Sequence, residues 1–102
     1  MSAQKFNNFS EFYLFYLSQH TNRTCRRLHI IGLLLSLTVL IVVVATAQWA
    51  YLPIPLLIGY GFAWIGHFFF EKNKPATFTY PLLSFLGDFK MVKDILTRKV
   101  KF

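Results

Sequence analysis

An all-α integral membrane protein, built as a transmembrane helical hairpin flanked by N- and C-terminal amphipathic interfacial helices, is what this 102-residue sequence predicts. Three observations lead there. First, the chain is 55% hydrophobic and only 15% charged, with twelve Phe, five Tyr and two Trp. A chain this short buries a modest fraction of its surface, so hydrocarbon must solvate part of that apolar area. Second, residues 28–47 carry no formal charge over twenty positions, the length a helix needs to cross a hydrocarbon core of about 30 Å. Third, the eleven Lys and Arg, set against four Asp and Glu, flank the apolar runs instead of forming a basic face. That placement fits a lipid bilayer with anionic headgroups and argues against nucleic acid as a partner.

Residues 5–20 read as an interfacial helix. Phe9, Phe12, Tyr13, Tyr16 and His20 recur at spacings of three and four and mark one helical face. Rings in such number suit the headgroup boundary. "HTNRT" (His20 to Thr24) then breaks the pattern, and Thr21, Asn22 and Thr24 are each able to cap a new helix. Residues 28–47, "LHIIGLLLSLTVLIVVVATA", are the outgoing span. Trp49 and Tyr51 fit the far interface, and Pro53 or Pro55 can open the returning helix, expected over 55–71. That helix is short for a full span, which predicts tilt or local thinning of the bilayer. Gly59, Gly61, Ala63 and Gly66 give it a small-residue side for close packing. A helix of the same chain or of a second copy can use that side, so a homo-oligomer stays open. Residues 75–102 read as a shallow or re-entrant segment, broken by Pro81 and Gly87, followed by a basic amphipathic tail. In the tail Phe89, Val92, Ile95 and Leu96 oppose Lys90, Lys93, Arg98, Lys99 and Lys101. The chain is thus one membrane domain. Arg23, Arg26 and Arg27 precede the hairpin and Lys72 and Lys74 follow it, which puts both termini on the cytoplasmic side. The membrane is the inner membrane of a bacterium or the endoplasmic reticulum of a eukaryote.

This topology concentrates the ionisable groups. His29 starts the outgoing span and His67 nears the end of the returning one, so an antiparallel hairpin sets them at nearly the same depth. His20 closes the first helix, and the break at 21–24 frees it to reach the same level. Glu71 stands four residues after His67. All three histidines of the chain can therefore meet near the cytosol. Ionisable groups at membrane depth are costly and point to function. Imidazoles with a carboxylate suit a divalent transition metal with positions left open for substrate and O₂. The single Cys25 excludes an intramolecular disulfide and any multi-cysteine metal site. Plainer readings stand beside this one: an interfacial His20, His29 and His67 bonded to backbone carbonyls, Glu71 paired with Lys74 or Arg27, and Asp88 as a helix N-cap. On those readings the chain is a non-catalytic lipid- or protein-docking scaffold.

Two blocks go further. "HTNRTCRRLHIIG" (His20 to Gly32) resembles an H-x-N-x(6)-H pattern leading into an apolar helix, and "GHFFFEKNKPA" (Gly66 to Ala76) resembles a G-H-x-x-F-E-K-x-x-P-A block. Both are similar to the fungal 2-hydroxy fatty acid dioxygenase and its bacterial relatives. The resemblance implies an Fe(II)-dependent dioxygenase of fatty acid α-oxidation that uses O₂ to shorten a long-chain 2-hydroxy fatty acid by one carbon. It implies Fe(2+) as cofactor and His20, His29 and His67 as the catalytic iron ligands. Glu71 would be a further ligand or a partner that orients an imidazole. The chemistry then asks for cations to attract the substrate carboxylate, for which Arg26, Arg27, Lys72 and Lys74 are the candidates. It also asks for a dry acyl channel, lined by Phe68, Phe69 and Phe70 or by the small-residue side of the hairpin.

Overall fold

Two asparagines begin the first two helices. The Asn8 side chain accepts a hydrogen bond from the Glu11 N–H (2.9 Å) and opens α1, Phe9–Ser18. The Asn22 side chain accepts from the Cys25 N–H (3.2 Å) and opens α2, Arg23–Ala45. Each supplies an oxygen to an N–H that the first helical turn leaves without a partner. With Asn22 as the cap, α2 starts at Arg23 and takes Arg23, Arg26 and Arg27 into its first turns. The structure, a computed structural model, describes residues 6–102, so residue 5 of the expected first helix lies outside the described residues.

A 3₁₀ turn, Trp49–Tyr51, leads into α3, Pro53–Ile65, with proline in the first turn where its missing N–H costs nothing. α3 passes directly into a π-helical turn, Gly66–Glu71. The returning rod therefore runs from Trp49 to Glu71, 23 residues, matching the 23 of α2. Both are long and apolar enough to cross a membrane. The 3₁₀ turn and the start of α3, residues 49–54, supply the length that residues 55–71 lack. Ile31, Leu34, Ile41 and Val42 on α2, and Leu56 and Leu57 on α3, face outward as a lipid-compatible surface.

The two rods approach most closely where side chains are smallest. A Cβ on Gly32 would fall 2.6 Å from Phe62 Cβ, and one on Gly66 would fall 3.1 Å from Cys25 Cα. Midway, Ser36 Oγ donates to the Pro55 carbonyl (2.6 Å) and ties the rods together. Gly59 faces Ser36, whereas a Cβ on Gly61 would meet nothing within 4 Å. The small-residue side thus serves the hairpin of this chain, and Gly61 lies off it.

Beyond the π turn, Lys72 adopts the left-handed conformation (φ 60°), and a 3₁₀ turn, Ala76–Phe78, precedes α4, Pro81–Leu96. The sequence expects Pro81 and Gly87 to interrupt this region, and neither does. Pro81 occupies the first turn of α4, where proline is tolerated. Gly87 lies within the helix because the Tyr16 ring packs on it, 2.8 Å from where its Cβ would be. α1 and α4 cover each other. Phe12, Tyr13 and Tyr16 meet Met91, Val92 and Ile95, with Ile30 of α2 completing the core. The aromatic face of α1, read from sequence as lying among headgroups, therefore turns inward. Packing on α4 withdraws both apolar stripes from water at about 25 cal/mol per Å².

Candidate metal centre

Each histidine is held by the atom opposite the one it offers. His20 follows α1, and its Nδ1 lies 2.6 Å from the Tyr16 carbonyl one turn back, with its ring stacked on the Tyr16 ring at 4.0 Å. His29 sits in the second turn of α2, its Nδ1 2.8 Å from the Cys25 carbonyl. His67 lies on the π turn, its Nδ1 2.8 Å from Asn73 Oδ1. Asn73 Nδ2 in turn donates to the carbonyl (3.2 Å) and the side-chain oxygen (3.3 Å) of Gln19. That fixes the Asn73 oxygen toward His67.

Carbonyl and amide oxygens only accept, so Nδ1 carries the proton in each neutral ring and Nε2 keeps its lone pair; the tautomers follow from this network. The offered atoms converge. His20 Nε2 is 3.2 Å from His29 Nε2, and the ring centroids are 4.6, 4.5 and 5.0 Å apart. Ligand atoms of all three lie within 4.8 Å of one another. The rings are 2%, 6% and 2% exposed, so little solvent separates them. Lone pairs gathered with no proton between them repel, and a cation at their centre converts that repulsion into ligation. Three buried imidazoles fit a divalent transition metal, with coordination positions to spare. Burial, then the neighbouring His29 and His67, also push His20 well below the ordinary imidazole range, which keeps it in the metal-binding form.

Glu71 stands outside that group. Its Oε1 accepts from the Thr21 hydroxyl (3.0 Å) and its Oε2 from the Asn22 N–H (2.7 Å). On a π turn, residues four apart do not stack as on an α-helix, so Glu71 points away from His67 toward the start of α2. There the carboxylate meets orphan N–H groups and joins the His20 segment to the π turn. Arg26, nearly buried, works on the same segment. Its Nη1 donates to the carbonyls of His20 (2.9 Å) and Thr21 (2.8 Å), and its Nε to that of Lys101 (2.8 Å).

The family model for 2-hydroxy-palmitic acid dioxygenase Mpo1-like proteins matches residues 6–100, a stretch that includes the three converging histidines and their supports. The chain belongs to this family. No curated protein and no solved structure matches it.

Two cavities in this Mpo1-like chain reach the histidines. The smaller is bounded by His20, His29 and His67 together with Trp64, Ser84 and Asp88. The wider shares His29 and Asp88 and continues between the hairpin and α4, past Leu33, Leu56, Gly59 and Phe85. Among the described residues, the four candidate carboxylate-attracting cations line neither. Arg26 is engaged as above, and Arg27 lies over the Phe102 ring at 4.8 Å. Lys72 and Lys74 border an outer depression with Phe68 and Phe69. Asp88, read from sequence as an N-cap, lies inside α4 and accepts a hydrogen bond from the Tyr16 hydroxyl; burial pushes its carboxyl up to about 7. Sequence reasoning also missed Asn73. Its signal was present, an amide in the charged turn beside His67. Ser84 and Trp64 carried none.

Proposed function

We propose that this chain is an Fe(II)-dependent dioxygenase of fatty acid α-oxidation, shortening a long-chain 2-hydroxy fatty acid by one carbon with O₂. The observation that carries the reading is the convergence of three buried Nε2 lone pairs in a chain of the Mpo1-like family. His20, His29 and His67 would hold Fe(2+), which supplies the redox chemistry that activates O₂. The Tyr16 and Cys25 carbonyls and Asn73 orient the rings, and Glu71 with Arg26 holds the His20 segment in register. The acyl chain runs through the wider cavity, along the small-residue side of the hairpin and beneath Phe85 and Phe89 of α4. Phe68, Phe69 and Phe70 are 43–70% exposed and suit a lipid-facing role. The carboxyl end then lies at the histidines and the methyl end runs toward the bilayer centre. The arginines and lysines at the histidine end of the hairpin support a cytoplasmic side for the metal site and both termini, where Arg27, Lys72 and Lys74 would attract anionic headgroups and substrate from the leaflet.

The test is anaerobic purification, metal analysis and O₂ uptake with 2-hydroxypalmitate. One iron per chain, O₂ consumption and a product one carbon shorter are expected. Full iron without uptake rejects the reaction.

A further inference from the structure

Two polar atoms beside the histidines stand without a partner. Ser84 Oγ and Trp64 Nε1 are buried and make no hydrogen bond among the described residues, and Ser84 is only 2% exposed. Native proteins seldom leave such groups unsatisfied, because dehydrating them is uncompensated. Both residues line the smaller cavity with His20, His29 and His67. They reach it from different elements, Trp64 from α3 and Ser84 from α4, so local spacing does not explain their meeting. The third such atom among the described residues, Asp94 Oδ1, lies away from this cavity, in a carboxylate whose other oxygen is bonded.

We infer that Ser84 Oγ and Trp64 Nε1 form a two-donor seat for the substrate's carboxylate in the cavity that the three histidines also line, an inference that rests on the function proposed above. An indole N–H donates and never accepts, and the serine hydroxyl supplies a second donor. The complementary group is one that only accepts, and a carboxylate is such a group. An ammonium head would find no use for an indole N–H. Asp88 borders the same cavity, but its carboxyl is already engaged by the Tyr16 hydroxyl. The seat replaces the surface cations as the selective element. Arg27, Lys72 and Lys74 gather anions at the membrane face, and the two neutral donors read the head once it is inside, so the acid is chosen over an ester or alcohol of the same chain length.

The experiment compares binding of 2-hydroxypalmitate and hexadecane-1,2-diol to full-length, iron-loaded protein in nanodiscs without O₂, by equilibrium dialysis, with iron content measured in parallel. The wild type is expected to prefer the acid. Ser84→Ala and Trp64→Phe should each weaken acid binding by roughly tenfold, the size of one charge-assisted hydrogen bond. Diol binding and iron content should hold, and Ser84→Thr should restore the acid preference. Unchanged acid affinity in both variants overturns the seat, and so does an equal loss for acid and diol, which would mean the donors hold a water or any polar head. O₂ uptake by the wild type is scored separately. Its absence with acid preference intact rejects the reaction and leaves the seat standing.

Discussion

Asn73 does at His67 what backbone carbonyls do at His20 and His29, so the ring on the π turn is the one whose aim depends on a side chain. Removing the amide in Asn73→Ala takes away the acceptor for His67 Nδ1. Metal affinity should fall roughly 10- to 100-fold, as is usual when such outer partners are lost, while Asn73→Asp keeps an acceptor and should lose less. Chelator competition measures both. Glu71 belongs to the same class at one remove, since it grips Thr21 and Asn22 and no imidazole. Glu71→Ala should weaken metal binding yet leave one ion per chain at saturating iron, whereas His67→Ala should abolish stoichiometric binding. Equal loss in the two variants would make Glu71 a ligand after all.

Between elements, the spacing of the rods is set by glycine and the docking of α1 by one buried carboxylate. A Cβ at Gly66 would meet Cys25 Cα, which is backbone and has no rotamer to escape to. Gly66→Ala should part the rods beside His29 and His67, lowering both thermal stability in detergent and iron content. Gly61→Ala meets nothing within 4 Å and should be neutral or stabilising by up to ~1 kcal/mol from helix propensity. At the α1–α4 contact, the Tyr13 hydroxyl donates to Asp94 Oδ2 (2.7 Å), and Lys90 Nζ lies 3.3 Å from the same oxygen. Burial acts to raise the Asp94 pKa, but the Tyr13 hydroxyl and Lys90 together hold it below the ordinary carboxylate value. A carboxyl whose folded pKa is depressed stabilises above its unfolded value, about 3.9, and loses that contribution as pH falls through the folded value. Protection factors of the α1 amides, corrected for intrinsic exchange at each pH, should therefore be steady near neutrality and fall below about pH 4. Asp94→Asn should flatten that dependence.

Taken as a whole molecule, the three histidines come from the end of α1, the start of α2 and the end of the returning rod, so a shared ion would fasten three elements at once. Stripping iron with a chelator should lower the melting temperature, and restoring it at a hundredfold excess over Kd should return about 2.7 kcal/mol. A melting curve indifferent to iron would place the ion elsewhere. The meeting of the imidazoles was legible before any coordinates. Charge-free length, proline and basic flanks define two opposed rods, and histidines at adjoining ends of opposed rods share a depth. The pairing of α1 with α4 was not legible, because an amphipathic face shows only that it needs cover. Lipid and a neighbouring helix satisfy that need equally well on paper.

Hydrophobic length and the positions of charges are properties of short stretches, and so the helical hairpin and the meeting of His20, His29 and His67 were written in the chain. The course of Glu71 to Asn22, of Tyr16 to Asp88 and of Asn73 to Gln19 was not. These bonds join residues 49, 72 and 54 positions apart. A contact across that distance leaves no period in the sequence, and neither does the π turn that carries Glu71 toward Thr21 and Asn22. Folding decided which groups Glu71 grips and which side chains from α3 and α4 meet beside the three histidines.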